Sequence, residues 1–286
     1  MGSAVRLVEV GPRDGLQSEK NPIPVEAKVA FVDALSECGL AEIEAGAFVS
    51  PKAIPQMAGS AEVFKRIRRK PGVVYSALVP NEKGLDDALA ARVDKIAVFT
   101  AASETFNQKN INATIDESIE RFRPVVARAR KERLPVRGYV STAFYCPFEG
   151  KIAPAKVMPV VNHLLALGVD ELSIGDTIGK AEPKDVAALL EPLLAMVPVE
   201  KVFLHFHDTY GHAVQNAVMA WKEFGVSGFD ASTGGVGGCP YAPGASGNVA
   251  MESLAEALAG AGAGVRLDVP GLRKAARLVL PLLGRA

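Results

Sequence analysis

The sequence predicts an α/β protein with the TIM (β/α)8 barrel fold. Short apolar runs rich in β-branched residues alternate with longer stretches of helical period, which is typical of parallel βα units. A chain of 286 residues allows about 36 residues for each of eight units, close to the size of a typical barrel. An open doubly wound sheet would usually begin with a G-x-G-x-x-G loop, whereas the first loop here reads GPRDGLQ. The barrel is therefore favoured.

Eight predicted strands follow one another along the chain. They are the runs 5–10, 41–48, 73–79, 93–99, 135–142, 170–175, 201–207 and 228–233. Helical stretches fill the gaps between them, and a segment from about 265 to 286 remains as a short C-terminal helical extension. We therefore expect a single domain over residues 1–286, with the barrel at about 5–262.

Helix boundaries are indicated by individual residues. Pro24 suits the first turn of the first helix. Thr114 and Glu117 form the capping-box pattern before a later helix. Pro159 and Pro192 lie inside helical stretches, where they predict kinks or late helix starts.

Composition and charge exclude several functional classes. Lys plus Arg (32) equals Asp plus Glu (32), which argues against a nucleic-acid or anionic-membrane binder. No run approaches the roughly 18 apolar residues of a membrane span. The 3 cysteines show no C-x-x-C spacing, so a reducing compartment is favoured over a disulfide framework. Because no leader sequence is recognisable either, we expect a cytoplasmic protein.

Polar residues with catalytic chemistry stand where the predicted strands end. In a barrel these ends meet at one face, which carries the active site. The candidates are Arg13 and Asp14 after the first strand, Glu44 on the second, Asp176 after the sixth, His205 and His207 on the seventh, and Cys239 and Asn248 beyond the eighth.

The pair His205 and His207 is the most informative of these features. Strand side chains alternate between faces, so both imidazoles point the same way, about 6.6 Å apart along the strand. Two hydrogen-bonded structural histidines would give the same pattern, but the chain has only 4 histidines, which favours a ligand pair. Asp14 could add a carboxylate and Asn248 an amide oxygen. Such a set suits Mg²⁺ or Mn²⁺ better than zinc.

The two loops that flank this pair have their own character. In GPRDGLQ, glycines and a proline make a tight turn that fixes Arg13 and Asp14. A permanent guanidinium charge there suits a developing enolate or carboxylate. The glycine-rich segment 234–248 matches neither a Walker A nor a dinucleotide motif. With Cys239 in it, the segment is interpreted as an active-site lid, a plain flexible connection being the alternative.

Seven stretches of the chain resemble the 3-hydroxy-3-methylglutaryl-CoA lyases, a family of the DRE-TIM metallolyase group. They are VEVGPRDGLQSEKN (8–21), FVSPKAIPQM (48–57), AASETFNQKNIN (101–112), EGKIAPAKV (149–157), SIGDTIG (173–179), HFHDTYG (205–211) and GGCPYAPGASGN (237–248). The last is the most specific, since the group's condensing enzymes share the G-x-R-D-G-x-Q and H-x-H elements but lack this cysteine loop.

The resemblance implies a role for each matching residue. Mg²⁺ or Mn²⁺ would be bound by Asp14, His205, His207 and Asn248. Arg13 would contact the thioester carbonyl, and Cys239 would act as an acid or base. Glu44 and Asp176 would support these groups or orient the substrate, and Lys20 and Asn21 are plausible contacts for the phosphates of CoA. The family also implies a homodimer.

The implied reaction breaks the C2–C3 bond of 3-hydroxy-3-methylglutaryl-CoA and gives acetyl-CoA and acetoacetate. His205 or Asp14 would take the hydroxyl proton. One alternative is a lyase for a longer 3-substituent, such as 3-hydroxy-3-isohexenylglutaryl-CoA, because segments 45–47 and 144–145 differ from those of relatives where the pocket could change size. The others are a Claisen-condensing synthase of the same group and a silent CoA-binding barrel.

Overall fold

Parallel strands close into an eight-stranded barrel in the computed structural model, which describes residues 4–19, 21–237 and 247–285. The barrel strands are β1 (Arg6–Glu9), β2 (Glu42–Ala47), β3 (Val74–Leu78), β4 (Lys95–Ala101), β5 (Val136–Ser141), β8 (Glu171–Asp176), β9 (Val202–Phe206) and β10 (Gly228–Ala231). Their order is β1-β10-β9-β8-β5-β4-β3-β2, with β2 pairing back to β1. The predicted fold class and all eight predicted strands are confirmed.

A short antiparallel hairpin interrupts the unit that follows β5. It consists of β6 (Tyr145–Cys146) and β7 (Gly150–Lys151). No strand is predicted in this stretch, because two-residue strands are too short to show an alternating pattern.

Helices surround the barrel strands. They are α1 (Val25–Ser36), α2 (Ser60–Arg66), α3 (Glu82–Ala90), α4 (Glu104–Ile111), α5 (Ile115–Lys131), α6 (Pro154–Leu167), α7 (Pro183–Leu194), α8 (Ala213–Phe224), α9 (Met251–Gly260) and α10 (Val269–Ala276). Among the described residues, no helix is long and apolar enough to cross a membrane.

Helix starts follow local chemistry. The capping box before α5 is confirmed: Glu117 N donates to Thr114 Oγ1 at 3.1 Å, and Thr114 N donates to Glu117 Oε2 at 2.8 Å. Pro159 and Pro192 lie inside α6 and α7, which begin earlier. The late helix starts predicted as one option are therefore wrong, because Pro154 and Pro183 already provide the fixed φ that a first turn needs.

The barrel interior below the site holds a network of buried charges. Arg137 donates from Nε to Glu171 Oε1 at 2.7 Å and from Nη1 to Asp230 Oδ1 at 2.8 Å. Lys95 Nζ donates to Glu42 at 2.6 Å and to Glu171 at 2.8 Å. Because buried charges are tolerated only when paired and hydrogen-bonded, these contacts fix the side chains in one arrangement.

The segment after α9 packs against the turn that follows β10. This turn is the 3₁₀ segment Thr233–Gly235, and a Cβ placed on Gly234 would lie 3.0 Å from Ala276 Cβ in α10. Further on, Arg285 pairs with Glu19 at 2.8 Å, and Gly237 N donates to the same Glu19 carboxylate at 3.2 Å. The C-terminal helical extension therefore supports residues 234–237, which lead to Cys239 in the sequence.

Candidate metal centre and active site

Three side chains with metal-binding groups converge where β1 and β9 end. Asp14 lies in a single π-helical turn, Gly11–Gly15, directly after β1; His205 lies on β9 and His207 follows it. One candidate ligand atom from each lies within 4.8 Å of the others. The ring centroids of the two histidines are 5.3 Å apart, whereas Phe206 between them packs against Phe144 on the other face. The cluster that strand alternation predicts is therefore present in the structure.

Asn248 completes the cluster from the segment before α9. Its Nδ2 donates to Asp14 Oδ2 at 2.9 Å, and its backbone forms an antiparallel bridge with His207. Its Oδ1 is buried and has no hydrogen-bond partner among the described residues. An unsatisfied buried oxygen is costly, and a cation would satisfy it. Two imidazoles, a carboxylate and an amide oxygen thus form a donor set that fits a divalent cation.

The charge balance of the cluster also favours a bound cation. Burial opposes ionisation of Asp14, but the charges of Arg13 and His205 lower its pKa to about 2. Burial, and then the charge of His205, lower the pKa of His207 to about 4, so that its ring is neutral at pH 7. For His205, burial is outweighed by the carboxylates of Asp230 and Asp14, and its pKa is raised. The carboxylates that stabilise a positive charge on the His205 ring would also stabilise the positive charge of a bound metal ion.

Arg13 is held rigidly beside this cluster. Its Nε donates to Glu44 Oε2 at 2.6 Å and its Nη1 to Asp14 Oδ1 at 2.8 Å. Its guanidinium carbon lies 5.3 Å from the ring centroid of Tyr139, whose hydroxyl also donates to Glu44 at 3.3 Å. Although burial opposes charge, Glu44 and Asp14 raise the pKa of Arg13, which keeps it a cation. The site thus holds a fixed positive group next to the proposed ligands.

Two buried carboxyl groups stand behind the site. Neither Glu44 nor Asp176 is among the residues that line the cavity. Asp176 accepts hydrogen bonds from Lys180 N at 3.2 Å and Ala181 N at 2.9 Å, and burial raises its pKa to about 6. The backbone oxygen of Asp176 accepts from His207 N at 3.3 Å. Glu44 thus holds the Arg13 side chain, and the Asp176 carboxylate holds the backbone of Lys180 and Ala181.

Of the remaining predicted residues, Asn21 lies in the described part of the chain and is not brought into the cluster. Asn21 is exposed, and its backbone oxygen accepts a hydrogen bond from Gln56 Nε2 at 2.5 Å. Lys20 and Cys239 lie outside the described residues. Segments 45–47 and 144–145, which were expected where the pocket could change size, do not line the cavity.

A cavity of about 250 Å³ opens from the cluster toward α4 and α5. Arg13, Asp14, His205 and His207 line one end. The wall away from them is largely apolar and includes Ile54, Leu78, Phe99, Phe106, Ile111 and Phe122. The cavity can therefore take a molecule with one polar reacting end and a longer apolar or amphipathic part.

Glu9 ties the two loops of the site together. Its carboxylate accepts from Gly11 N at 2.7 Å, from Thr233 N at 3.0 Å and from Thr233 Oγ1 at 2.5 Å. The loops approach so closely that a Cβ on Gly237, at φ +108°, would lie 2.8 Å from Gly15 Cα. The loop with Arg13 and Asp14 is thus fixed to the loop that leads to Cys239 and Asn248.

Sequence reasoning missed Glu9, Tyr139, Arg137 and Asp230. The available signal was a charged residue inside an otherwise apolar strand, as in PVRGYV for Arg137 and GFDAST for Asp230. Such residues are rarely buried without a partner. For Tyr139 the sequence carried no such signal, since tyrosine is common in strands.

Comparisons with known proteins agree with this site. The HMGL-like family model matches residues 4–279. The chain is 49% identical to the 3-hydroxy-3-isohexenylglutaryl-CoA/hydroxy-methylglutaryl-CoA lyase of Pseudomonas aeruginosa, over 99% of this chain and 94% of that one. It is also 49% identical to the mitochondrial hydroxymethylglutaryl-CoA lyase of Bos taurus, over 98% of this chain and 86% of that one.

A solved structure gives the same result for the fold. The crystal structure of the HMG-CoA lyase from Brucella melitensis superposes with a TM-score of 0.97 at 48% identity, covering 99% of this chain and all of the other. The resemblance noted in the sequence is therefore confirmed by family model, relatives and structure together: the chain belongs to the HMGL-like family and, within it, to the hydroxymethylglutaryl-CoA lyases.

Proposed function

We propose that this chain is a carbon–carbon lyase that cleaves 3-hydroxy-3-methylglutaryl-CoA to acetyl-CoA and acetoacetate. The observation that carries the proposal is the joint placement of Arg13 and the cluster Asp14, His205 and His207 at one end of the cavity. The relatives at 49% identity, named as lyases of this substrate, support it. They also weigh against a condensing synthase and against a silent CoA-binding barrel.

The proposed cofactor is Mg²⁺ or Mn²⁺, held by Asp14, His205, His207 and Asn248. The choice follows from the donor set, in which oxygens and imidazoles are present without a thiolate. When bound, the cation would lower the pKa of the 3-hydroxyl of the substrate.

The proposed roles follow the movement of electrons and protons. Asp14 or His205 takes the proton from the 3-hydroxyl, and the C2–C3 bond breaks as the hydroxyl carbon becomes a ketone. The bonding electrons pass to the thioester as an enolate, whose oxygen the guanidinium of Arg13 stabilises. Cys239 is proposed to protonate C2 from the loop side. Glu44 and Asp176 orient Arg13 and the β8 loop, as their contacts indicate.

The CoA contacts, the oligomeric state and the location are also proposed. The CoA part of the substrate would leave the cavity toward the loop after β1, where Lys20 and Asn21 would meet its phosphates. A homodimer is proposed from family membership. The cytoplasmic location stays a prediction, since the bovine relative is named as mitochondrial.

The test is a direct assay of the purified, thiol-reduced protein. It is incubated with 3-hydroxy-3-methylglutaryl-CoA, with and without Mg²⁺ or Mn²⁺, and the release of acetyl-CoA and acetoacetate is measured. We expect fast cleavage that depends on the metal and is abolished by a chelator. A protein that binds Mn²⁺ but releases neither product would contradict the proposed substrate.

One observation favours a second candidate, a lyase that also accepts a longer 3-substituent. The cavity has an apolar wall that includes Phe99, Phe106 and Phe122, and the Pseudomonas aeruginosa relative is named for both substrates. Measuring kcat/KM for the methyl and isohexenyl substrates shows which of the two the enzyme prefers. A preference of about tenfold or more for either corresponds to about 1.4 kcal/mol of transition-state binding.

A further inference from the structure

A buried acidic residue lies beside the proposed metal ligand His205. The register pairs Asp230 on β10 with His205 on β9, so both side chains point to the same face. Asp230 is only 1% exposed, and its Oδ2 lies 3.5 Å from His205 Nδ1. The other ring nitrogen, Nε2, lies 3.9 Å from Asp14 Oδ2. The imidazole is therefore placed between two carboxylates, one at each ring nitrogen.

Two hydrogen-bond donors hold the Asp230 carboxylate in place, and neither lies between it and His205. Arg137 Nη1 donates to Oδ1 at 2.8 Å, and Ser173 Oγ donates to Oδ2 at 2.6 Å. Arg137 is itself held by Glu171 at 2.7 Å and stacked 4.2 Å from the ring centroid of Phe203. The carboxylate cannot turn away from His205 without breaking this buried network.

A neutral imidazole carries its proton on either nitrogen, and only the unprotonated nitrogen can bind a metal. An acceptor at Nδ1 favours the form with the proton there, which leaves the lone pair of Nε2 facing Asp14. The distance of 3.5 Å is at the long end for a hydrogen bond, and Nδ1 has no other hydrogen-bond partner among the described residues. A small rotation of the ring would complete this contact.

His207 has a different environment. Its Nδ1 is buried without a hydrogen-bond partner, and among the described residues no carboxylate oxygen is paired with its ring. The two histidines are therefore not equivalent, because a carboxylate lies next to Nδ1 of His205 and none is paired with the ring of His207 among the described residues.

We propose that Asp230 is a positioning residue of the cation site, which accepts a hydrogen bond from Nδ1 of His205 and so directs Nε2 toward the cation. With both ring nitrogens occupied in this way, His205 has no lone pair left, so of the two candidate bases Asp14 is the one that can take the hydroxyl proton. The proposal rests on the proposed function only in assuming that a divalent cation binds at this cluster. It adds a requirement that the ligands alone do not contain: the Asp230 carboxylate must be held beside Nδ1 for His205 to bind metal.

The first measurement is the affinity for Mn²⁺, determined by isothermal titration calorimetry. Asp230→Asn keeps the size of the side chain but removes its charge, and loss of such a supporting carboxylate typically weakens metal binding roughly 10–100-fold. The matched control is Glu42→Gln, which removes another buried carboxylate of the same network, one that pairs with Lys95 at 2.6 Å. We expect the control to bind Mn²⁺ within about threefold of the wild type.

The second measurement is the protonation state of the His205 ring, read from ¹⁵N shifts of histidine-labelled protein. His205→Gln assigns the signals. We expect Nδ1 to carry the proton in the wild type, both metal-free and with Mg²⁺, and a mixture of the two forms in metal-free Asp230→Asn. This readout would not change if Asp230 were needed only for folding.

Two outcomes would overturn the proposal: a neutral wild-type His205 ring that carries its proton at Nε2 rather than at Nδ1, or an Asp230→Asn variant with wild-type affinity for Mn²⁺. If the variant does not fold, as seen by circular dichroism, the wild-type spectrum decides alone. Failure of the wild type to bind any Mn²⁺ would count against the proposed function instead, and the ¹⁵N spectrum would still report on Asp230.

Discussion

Arg13 is the residue whose replacement separates binding from chemistry most sharply. The guanidinium is held by Glu44 and Asp14 before substrate arrives, so it stabilises a developing enolate without reorganising. We expect Arg13→Met, which keeps the length of the side chain but loses the charge, to lower kcat by roughly 10²–10³. Steady-state kinetics with 3-hydroxy-3-methylglutaryl-CoA measure this directly.

The control for this variant is its metal content. Because Arg13 Nη1 also donates to Asp14 at 2.8 Å, a loss of turnover could reflect a disturbed cation site. Elemental analysis after dialysis should show wild-type metal in Arg13→Met. Turnover within a few-fold of the wild type would contradict the proposed enolate-stabilising role.

Glu9, which links the loops after β1 and β10, should make the stability of the protein depend on pH. Burial raises the pKa of its carboxyl to about 7, even though Thr233 and Gly11 donate to it. The folded chain therefore keeps the Glu9 proton to higher pH than the unfolded chain does. As pH rises from about 4.5 to 7, the wild type loses stability, on the order of 3 kcal/mol from this group.

Glu9→Gln removes the titration while keeping the shape. The free energy of unfolding of wild type minus variant should fall as pH rises through this window and then level off. Urea melts at pH 5, 6, 7 and 8 provide the measurement. A difference that is constant across these pH values would show that Glu9 does not titrate there.

The strands and helices were far easier to predict from the sequence than the buried polar residues that hold the site in place. The strand at 135–142 was recognisable because its apolar run is bounded by turn residues, and it is observed as Val136–Ser141. His205 and His207 could be paired from strand alternation alone. Asp230 could not be placed, because its role depends on which strand neighbours β9, and that register is a tertiary property. The same holds for Glu9, whose partner Thr233 is 224 residues away.

Across the whole molecule, the proposed ligands come from both ends of the chain. Asp14 follows the first strand, His205 lies on β9 and His207 directly after it, and Asn248 follows the last strand. No such site exists in the unfolded chain, so a cation that binds here stabilises the entire barrel. At 100 times its dissociation constant the cation contributes about 2.7 kcal/mol, which corresponds to a rise in Tm of roughly 4–5 °C for 286 residues.

Thermal melts of chelator-treated protein, with Mn²⁺ then added in steps, measure this linkage. His207→Ala should abolish both the rise in Tm and the retention of metal through dialysis. His163→Ala provides the matched control, since His163 is exposed on α6 and far along the chain from every proposed ligand; it should keep the full rise. The two imidazole nitrogens distinguish this site from an ordinary acidic surface, and His207→Ala removes one of them. If the His207→Ala protein still gains full stability from Mn²⁺, the cation therefore binds elsewhere.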